Sequence, residues 1–179
     1  MKSIKEQYTA IIPELKKRLG LKNVMAAPKI TKVIVSTGTG KNRDKKRGEL
    51  ITDRLAKITG QKPSLRPAKK SIATFKLRQG EIIGQMVTLR GKRMYDFLTK
   101  LINIAVPRTR DFKGFNKTSI DEIGNLTIGI KEHTIFPETA DEDLKDVFGM
   151  AITITTTAKN RQEAEALFDA IGLPFKKVK

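Results

Sequence analysis

The sequence contains no cysteine and no tryptophan, and it has one histidine, His133. Without cysteine the chain has no disulfide, no thiolate metal ligand and no cysteine nucleophile, which fits a reducing compartment. A single histidine excludes a two-histidine zinc motif and a histidine proton relay. We therefore interpret His133 as a surface or packing residue. The sequence predicts no enzyme, no metal site and no cofactor.

Long apolar runs are also missing. No stretch approaches the roughly 18 apolar residues that a membrane-spanning helix needs. Residues 1–20 combine cations with apolar residues, but Glu6, Gln7 and Glu14 interrupt any signal-peptide core. We expect a soluble intracellular protein with no membrane partner.

Carboxylates are scarce in the first two-thirds of the chain. Residues 1–120 contain 29 Lys and Arg but 8 Asp and Glu, whereas residues 121–170 contain 4 and 11. The net charge of +17 exceeds the about 2–8 charges that suit a small domain. Such a field favours a polyanionic partner, either a nucleic acid or an anionic membrane surface, although a merely well-solvated surface remains the alternative.

Hydrophobic periodicity predicts interleaved helices and strands. Helical spacing marks residues 3–19, 50–58, 94–105 and 164–171, and strand patterns mark residues 29–35, 82–90, 126–130 and 148–154. Because alternation dominates the later strands, we predict antiparallel pairing with one solvated face. The expected fold is α+β, an antiparallel sheet with helices packed on one face, in a single domain over residues 1–179 that is basic in 1–120 and more acidic in 121–170.

One predicted strand lies in a strongly basic segment. Residues 69–93 contain seven cations and one carboxylate, Glu81. Alternation places Thr88 and Arg90 together on the face opposite the apolar one, where a hydroxyl and a guanidinium suit ribose and phosphate. We expect Gly80 and Gly84 to let a foreign backbone approach closely. An uncovered sheet face flanked by cations is typical of RNA binding, and an ordinary solvated face is the alternative.

Between Pro67 and Gly84 the chain predicts a hairpin arm that carries several cations. Phe75 lies among these cations and either stacks on a base or ribose or packs back onto its own hairpin. The basic run at residues 41–48 is interpreted as a loop that grips phosphates. The glycines at residues 38 and 40 fit neither a P-loop nor a dinucleotide fingerprint and are expected to shape a turn.

Six motifs occur in order along the chain: GQKP (60–63), FKLRQG (75–80), VTLRG (87–91), INIAVPRTRDFKG (102–114), IFPE (135–138) and AITITTTAK (151–159). Together they resemble the bacterial-type family of large-subunit ribosomal protein five, over essentially the whole chain. The resemblance implies a structural constituent of the large ribosomal subunit, monomeric within a cytoplasmic or organellar ribosome. It implies as partners 5S rRNA in the central protuberance, large-subunit rRNA, the peptidyl-site tRNA and small-subunit ribosomal protein thirteen.

The resemblance also implies residue roles. The rRNA-binding residues would be Ser36, Gln61, Lys62, Thr88, Arg90, Lys92 and Arg93. The tRNA-binding arm would be residues 69–79, using Lys69, Lys70, Phe75, Lys76, Arg78 and Gln79. The bridge to the small subunit would use Glu138, Asp141, Glu142 and Asp143, whose charge complements a basic partner. Ser36 stands where the family usually has Asn. Its hydroxyl can still form a hydrogen bond, but it lacks the paired donor and acceptor of the Asn amide.

Two other classes share the basic charge. A nucleoid-type DNA-binding protein would bind duplex DNA as well as 5S rRNA at equal salt. A nucleic-acid-processing enzyme would need a metal-binding carboxylate cluster near the basic face, whereas the carboxylates lie mainly in residues 121–170.

Overall fold

The computed structural model describes residues 4–40, 44–110, 112–139 and 147–176. The chain divides into two compact units: the first contains residues 1–33, 89–128 and 153–179, and the second contains residues 34–88 and 129–152. The unit boundaries fall inside strands. The single RNA-binding domain expected from the sequence stays a prediction.

The described residues form five strands and four α-helices. The strands are β1 (Ile30–Gly38), β2 (Ser64–Pro67), β3 (Ile82–Leu89), β4 (Leu126–Ile130) and β5 (Met150–Thr156). The helices are α1 (Ile4–Arg18), α2 (Lys45–Thr59), α3 (Gly91–Lys100) and α4 (Arg161–Ile171). The strands make one antiparallel sheet in the order β2-β3-β1-β5-β4, which confirms the predicted α+β fold.

Burial alternates along the strands, as the sequence predicts. In β5 the residues Met150, Ile152 and Ile154 are buried, and the residues between them are half-buried. The same alternation buries Val87 and Leu89 in β3, beside half-buried neighbours. In β3 and β5, one side of the strand therefore faces the core, and the other side remains accessible to solvent.

Two helices end where glycine permits a left-handed residue. Gly60 follows α2 with a φ of 68°, and Gly172 follows α4 with a φ of 86°. Side chains also fix the helix starts, because Asp44 accepts a hydrogen bond from the Lys46 N–H and Asn160 accepts one from the Glu163 N–H. The glycines explain why the sequence located the C-terminal ends of both helices correctly. The predicted starts at residues 50 and 164 are too late, because the helices begin at Lys45 and Arg161.

The expected role of Gly84 is wrong. A Cβ at this residue would lie 2.9 Å from the carbonyl oxygen of Thr37, so the space is already occupied by the backbone of β1. The glycine allows its own sheet to pair closely and leaves no room there for a foreign backbone. Gly80, in contrast, has a φ of 88° and open space around it, which suits a turn.

Two elements differ from the sequence prediction. Strand β2 was not predicted, because its four residues are all exposed and show no alternation. The helical stripe predicted up to residue 105 is α-helical only to Lys100 and continues as a π-helical turn over Leu101–Ala105, where the Val106 N–H reaches the Leu101 carbonyl at 2.8 Å. Apolar spacing marks such a segment as helical but does not distinguish the two helix types.

Candidate nucleic-acid interface

The accessible side of the sheet in the second unit carries two predicted rRNA-binding residues. Ser36 lies on β1 and Thr88 on the neighbouring strand β3, and both are half-buried beside the buried Val35 and Val87. Among the residues that the structure describes, neither hydroxyl side chain has a hydrogen-bond partner. Both hydroxyls are therefore available to donate to or accept from a ligand.

Three predicted cations stand at the start of α3 in the first unit. Arg90 has extended backbone (φ −140°, ψ 164°) and precedes the first helical residue, Gly91. Alternation along an extended chain predicts that Arg90 lies on the same side as Thr88. The side chains of Arg90, Lys92 and Arg93 are exposed, and none of them forms an ion pair within the described part of the chain.

Gln61 and Lys62 follow α2 directly, in the same unit as Ser36 and Thr88. The Thr59 hydroxyl donates to the Gln61 carbonyl oxygen at 3.1 Å and to the Leu55 carbonyl oxygen at 2.6 Å. These contacts, with the left-handed Gly60, fix the backbone beyond the helix. The Lys62 side chain is exposed, and that of Gln61 is half-buried.

The predicted arm is a hairpin that extends the β2–β3 pair. Ile72 and Leu77 exchange two backbone hydrogen bonds at 3.0 and 3.1 Å, and the Ala68 N–H donates to the Glu81 carbonyl at 2.8 Å. The Ser71 hydroxyl oxygen accepts from the Gln79 N–H at 2.9 Å. The arm is therefore held along its length by its own hydrogen bonds.

The surface of this arm is basic and partly apolar. Lys69, Lys70, Lys76, Arg78 and Gln79 are exposed. Phe75 ends a single 3-10 turn and is 69% exposed, so most of its ring is not covered by the hairpin. An exposed ring among cations can stack on a base or a ribose.

The predicted bridge residues are only partly described. Glu138 is exposed in a 3-10 turn at Pro137–Thr139. Asp141, Glu142 and Asp143 lie outside the described residues, as do residues 41–43 of the predicted basic loop. The loop prediction is wrong for residues 45–48, which begin helix α2. Glu138 is thus the one predicted bridge residue for which the structure gives a position.

His133 is confirmed as a packing residue. It is 1% exposed, and its ring stacks on Phe148 with centroids 4.2 Å apart and an interplanar angle of 10°. The Phe148 N–H donates to His133 Nδ1 at 3.4 Å, and the His133 N–H donates to the Phe148 carbonyl at 3.1 Å. This arrangement uses the imidazole to fix the chain before β5.

Among the described residues, two side chains have pKa values shifted from their ordinary ones. Burial, followed by the nearby Tyr95, raises the pKa of Tyr8, whose hydroxyl donates to the Pro28 carbonyl at 3.2 Å. Burial acts to raise the pKa of Asp121, but hydrogen bonds from Asn125 and from the backbone at 123 and 124 lower it on balance. Neither group belongs to the candidate interface.

One cation of the sheet was missed by the sequence reasoning. Lys32 lies on β1 at even spacing from Ser36 and is half-buried like it. The spacing itself was the available signal, because residues two and four apart share one face of a strand. Lys32 is therefore a further candidate for RNA contact in the first unit.

The described residues contain neither a membrane-spanning helix nor a cluster of metal-ligating side chains. No helix there is both long enough and apolar enough to cross a bilayer. Within the same residues, no group of three or more His, Asp or Glu side chains is arranged to hold a metal ion.

Two family models match the chain in succession. The model described as "Ribosomal protein L5" matches residues 23–78, and a second model, which describes the C-terminus of the same ribosomal protein family, matches residues 82–175. The junction between the two matches falls in the returning half of the arm. The matches cover every candidate residue of the sheet, arm and bridge except Gln79.

Several bacterial proteins are similar to the chain over nearly its full length. A protein of Mesoplasma florum named "Large ribosomal subunit protein uL5" is 51% identical, covering 99% of this chain and 100% of the relative. Proteins of the same name from Syntrophotalea carbinolica and Thermoanaerobacter sp. are 52% and 46% identical, covering 97% and 99% of this chain and 96% and 100% of the relatives.

Proposed function

The chain belongs to the ribosomal L5 family, and we propose that it binds 5S rRNA through the accessible side of its sheet and the cations beside it. As a member of this family it is a structural constituent of the large ribosomal subunit and not an enzyme. Its relatives are bacterial, so its place is the cytoplasmic ribosome. Binding to 5S rRNA would help to attach that RNA to the large-subunit rRNA.

Four exposed cations of one basic segment have no ion pair among the described residues, and this observation carries the proposal. Residues 61–93 contain nine Lys and Arg and one carboxylate, Glu81. Within the described residues, the predicted rRNA-binding cations Lys62, Arg90, Lys92 and Arg93 have no acidic partner. Like charges repel when they are crowded, and phosphates that displace counterions would relieve this repulsion.

Replacing Arg90 tests the sheet interface. The Arg90→Ala change removes a charge-assisted contact and should weaken 5S rRNA binding by about 1.5–3 kcal/mol in a filter-binding titration. Arg18→Ala is the matched control, because Arg18 forms an ion pair with Asp169 at 3.8 Å and should leave the affinity unchanged. Equal affinity of the Arg90→Ala variant and the unmodified protein would remove Arg90 from the site.

The same titration separates the RNA-binding proposal from a nucleoid-type DNA-binding function. Duplex DNA of the same length, added as a competitor at the same salt concentration, should displace 5S rRNA poorly. Phosphate contacts alone would let the two nucleic acids compete equally, since they carry no sequence or shape preference. Equal competition would favour the DNA-binding alternative.

We propose a separate role for the hairpin arm, which is contact with the peptidyl-site tRNA. Exposed Lys70 and Arg78, together with the largely exposed Phe75, support this role. Changing Lys70 and Arg78 together to Ala should impair tRNA binding on assembled ribosomes and spare 5S rRNA binding. Changing Lys92 and Arg93 together to Ala should instead weaken 5S rRNA binding and spare tRNA binding on assembled ribosomes. If both double variants lost 5S rRNA binding equally, the proposed division between arm and sheet would be wrong.

The third proposed contact is the bridge to small-subunit ribosomal protein thirteen. The exposed carboxylate of Glu138 supports it, and Asp141, Glu142 and Asp143 extend the same acidic stretch in sequence. Glu138→Lys should weaken subunit association, measured by light scattering, because it places a cation opposite a basic partner. Unchanged association would remove Glu138 from the bridge.

A further inference from the structure

Met25 is the most exposed large apolar side chain among the described residues, at 82%. It lies on a single 3-10 turn formed by Val24–Ala26, before β1, and its neighbour Val24 is 45% exposed. Scattered apolar side chains on a protein surface need no explanation. Met25 differs from such residues because hydrogen bonds fix its backbone and because lysines flank its turn.

The backbone that carries Met25 is fixed on both sides. The Asn23 side-chain oxygen accepts from the Met25 N–H at 3.0 Å, and the Ala27 N–H donates to the Val24 carbonyl at 3.1 Å. Beyond the turn, the Lys29 N–H donates to the Thr157 hydroxyl at 3.0 Å, and the Thr157 N–H returns a bond to the Lys29 carbonyl at 2.9 Å. A contact made by a side chain on a pre-ordered backbone loses little entropy on binding.

Ile123 offers an internal comparison in the same unit. It is 69% exposed, and its turn is fixed by hydrogen bonds from the Asn125 N–H and the Asn125 side chain to Asp121 at 2.6 and 2.9 Å. The two turns differ in charge: Ile123 follows Asp121 and Glu122, whereas Met25 lies between the exposed Lys22 and Lys29. A polyanion is attracted to the lysine-flanked turn and repelled from the carboxylate-flanked one.

The turn of Met25 continues directly into the candidate interface. Pro28 and Lys29 join it to β1, which carries Lys32 on its accessible side. We propose that Met25, with Val24 beside it, packs against a ribose or base edge of the bound 5S rRNA. This inference rests on the proposed function. Apolar side chains inserted into a nucleic-acid groove are a known binding device, and the flexible thioether of methionine adapts to irregular surfaces.

Met25→Gln tests this inference, since it keeps the length of the side chain and makes it polar. In filter-binding titrations at several salt concentrations, the variant should bind 5S rRNA about tenfold more weakly, which corresponds to about 1.4 kcal/mol. The slope of log affinity against log salt should be unchanged, because no charge has been removed. Met25→Leu should bind within about threefold of the unmodified protein, because an apolar contact of similar volume is retained.

Ile123→Gln is the matched control and should bind normally. Thermal unfolding of all three variants should match that of the unmodified protein, because both sites are exposed. Normal 5S rRNA binding by Met25→Gln, with Arg90→Ala still impaired, would overturn the inference and leave the proposed function intact. A defect of Met25→Gln seen only in binding to another ribosomal component would also overturn it. If the unmodified protein fails to bind 5S rRNA, the proposed function itself fails.

Discussion

Two regions of the chain use their cations differently. Near α4, Lys117 and Arg161 both contact Glu165, at 3.4 and 3.2 Å. In residues 61–93, the exposed Lys62 and Arg90 have no ion pair with any described carboxylate. The sequence supplies several carboxylates near α4 and a single one, Glu81, in residues 61–93. We infer that the paired cations serve the fold and the unpaired ones serve a ligand.

Energetics support this division. A solvent-exposed ion pair contributes only about 0–1 kcal/mol to stability, so the pairs near α4 are weak contributors to the fold. Crowded unpaired cations contribute nothing favourable to the free protein, yet each phosphate they neutralise releases counterions and strengthens binding. The two regions should therefore respond in opposite ways to the loss of charge.

The largest effect should come from removing the three cations at the start of α3. Changing Arg90, Lys92 and Arg93 together to Ala should weaken 5S rRNA binding on the order of 10³-fold, because three charge-assisted contacts are lost. The slope of log affinity against log salt should become shallower by about 2–3. Filter binding at four or more salt concentrations measures both quantities.

A variant with three paired cations replaced gives the control. Changing Arg18, Lys117 and Arg161 to Ala removes the same charge but breaks the ion pairs with Asp169 and Glu165. Because each of the three exposed pairs contributes about 0–1 kcal/mol, the variant should lower the free energy of unfolding by at most about 3 kcal/mol and leave RNA affinity within a few-fold. Equal losses of affinity in the two triple variants would show that only total charge matters.

The two faces of β3 should separate stability from binding. Gln85 is 2% exposed, donates to the Gly48 carbonyl at 2.7 Å and accepts from the Thr52 hydroxyl at 3.1 Å. Gln85→Ala should lower the free energy of unfolding by about 2 kcal/mol, because the hydrogen bonds of a buried side chain are lost and a cavity forms. Urea unfolding measures this change.

Thr88→Val, three residues further along the same strand, should show the reverse. The substitution keeps the shape and removes the hydroxyl, so 5S rRNA binding should weaken by about 1 kcal/mol while the urea midpoint changes little. Loss of stability in Thr88→Val, or normal stability in Gln85→Ala, would contradict the assignment of the two faces.

The smallest effect concerns pH and the turn that holds Ile123. Hydrogen bonds lower the pKa of Asp121 in the folded protein, against the opposing effect of burial. Its contribution to stability is therefore complete above the ordinary carboxyl pKa of about 3.9 and is lost as the pH falls through the lower folded-state value. Asp121→Asn should be less stable than the unmodified protein at pH 6, by less than about 1 kcal/mol because the group is exposed.

That small difference should shrink when urea unfolding is repeated below pH 3. A difference that stays constant with pH would mean that the hydrogen bonds to Asp121 do not depend on its charge. The Asp121→Asn variant should bind RNA normally at pH 6, because Asp121 lies in the carboxylate-rich part of the chain and not in the candidate interface.

Much of the fold could be predicted because local and global signals agree. Gly60 and Gly172 end helices whose apolar stripes stop at the same residues, and the alternation in β5 matches its burial. The sequence could not reveal β2, whose exposed residues show no pattern and whose pairing depends on the distant β3. Nor could it show that the carbonyl of Thr37 fills the space beside Gly84, because that contact joins two separate strands.

The candidate site was only partly readable from the sequence. Alternation placed Thr88 and Arg90 together, and the charge pattern marked the arm. Met25 gave no signal, because an apolar residue among Val24 and Ala26 resembles a core segment until its exposure is measured. Which RNA each cation binds depends on the shape of that RNA. The hydrophobic pattern of this chain carries no information about that shape.

Lysine acetylation of the free protein and of its complex with 5S rRNA, read by mass spectrometry, tests the central claim most directly. Lys62 and Lys92 should lose reactivity in the complex, while Lys69 and Lys70 on the arm and the ion-paired Lys117 should keep it. Protection of Lys117 to the same degree as Lys62 and Lys92, or no protection of those two, would contradict the claim that the unpaired cations beside the sheet face the RNA.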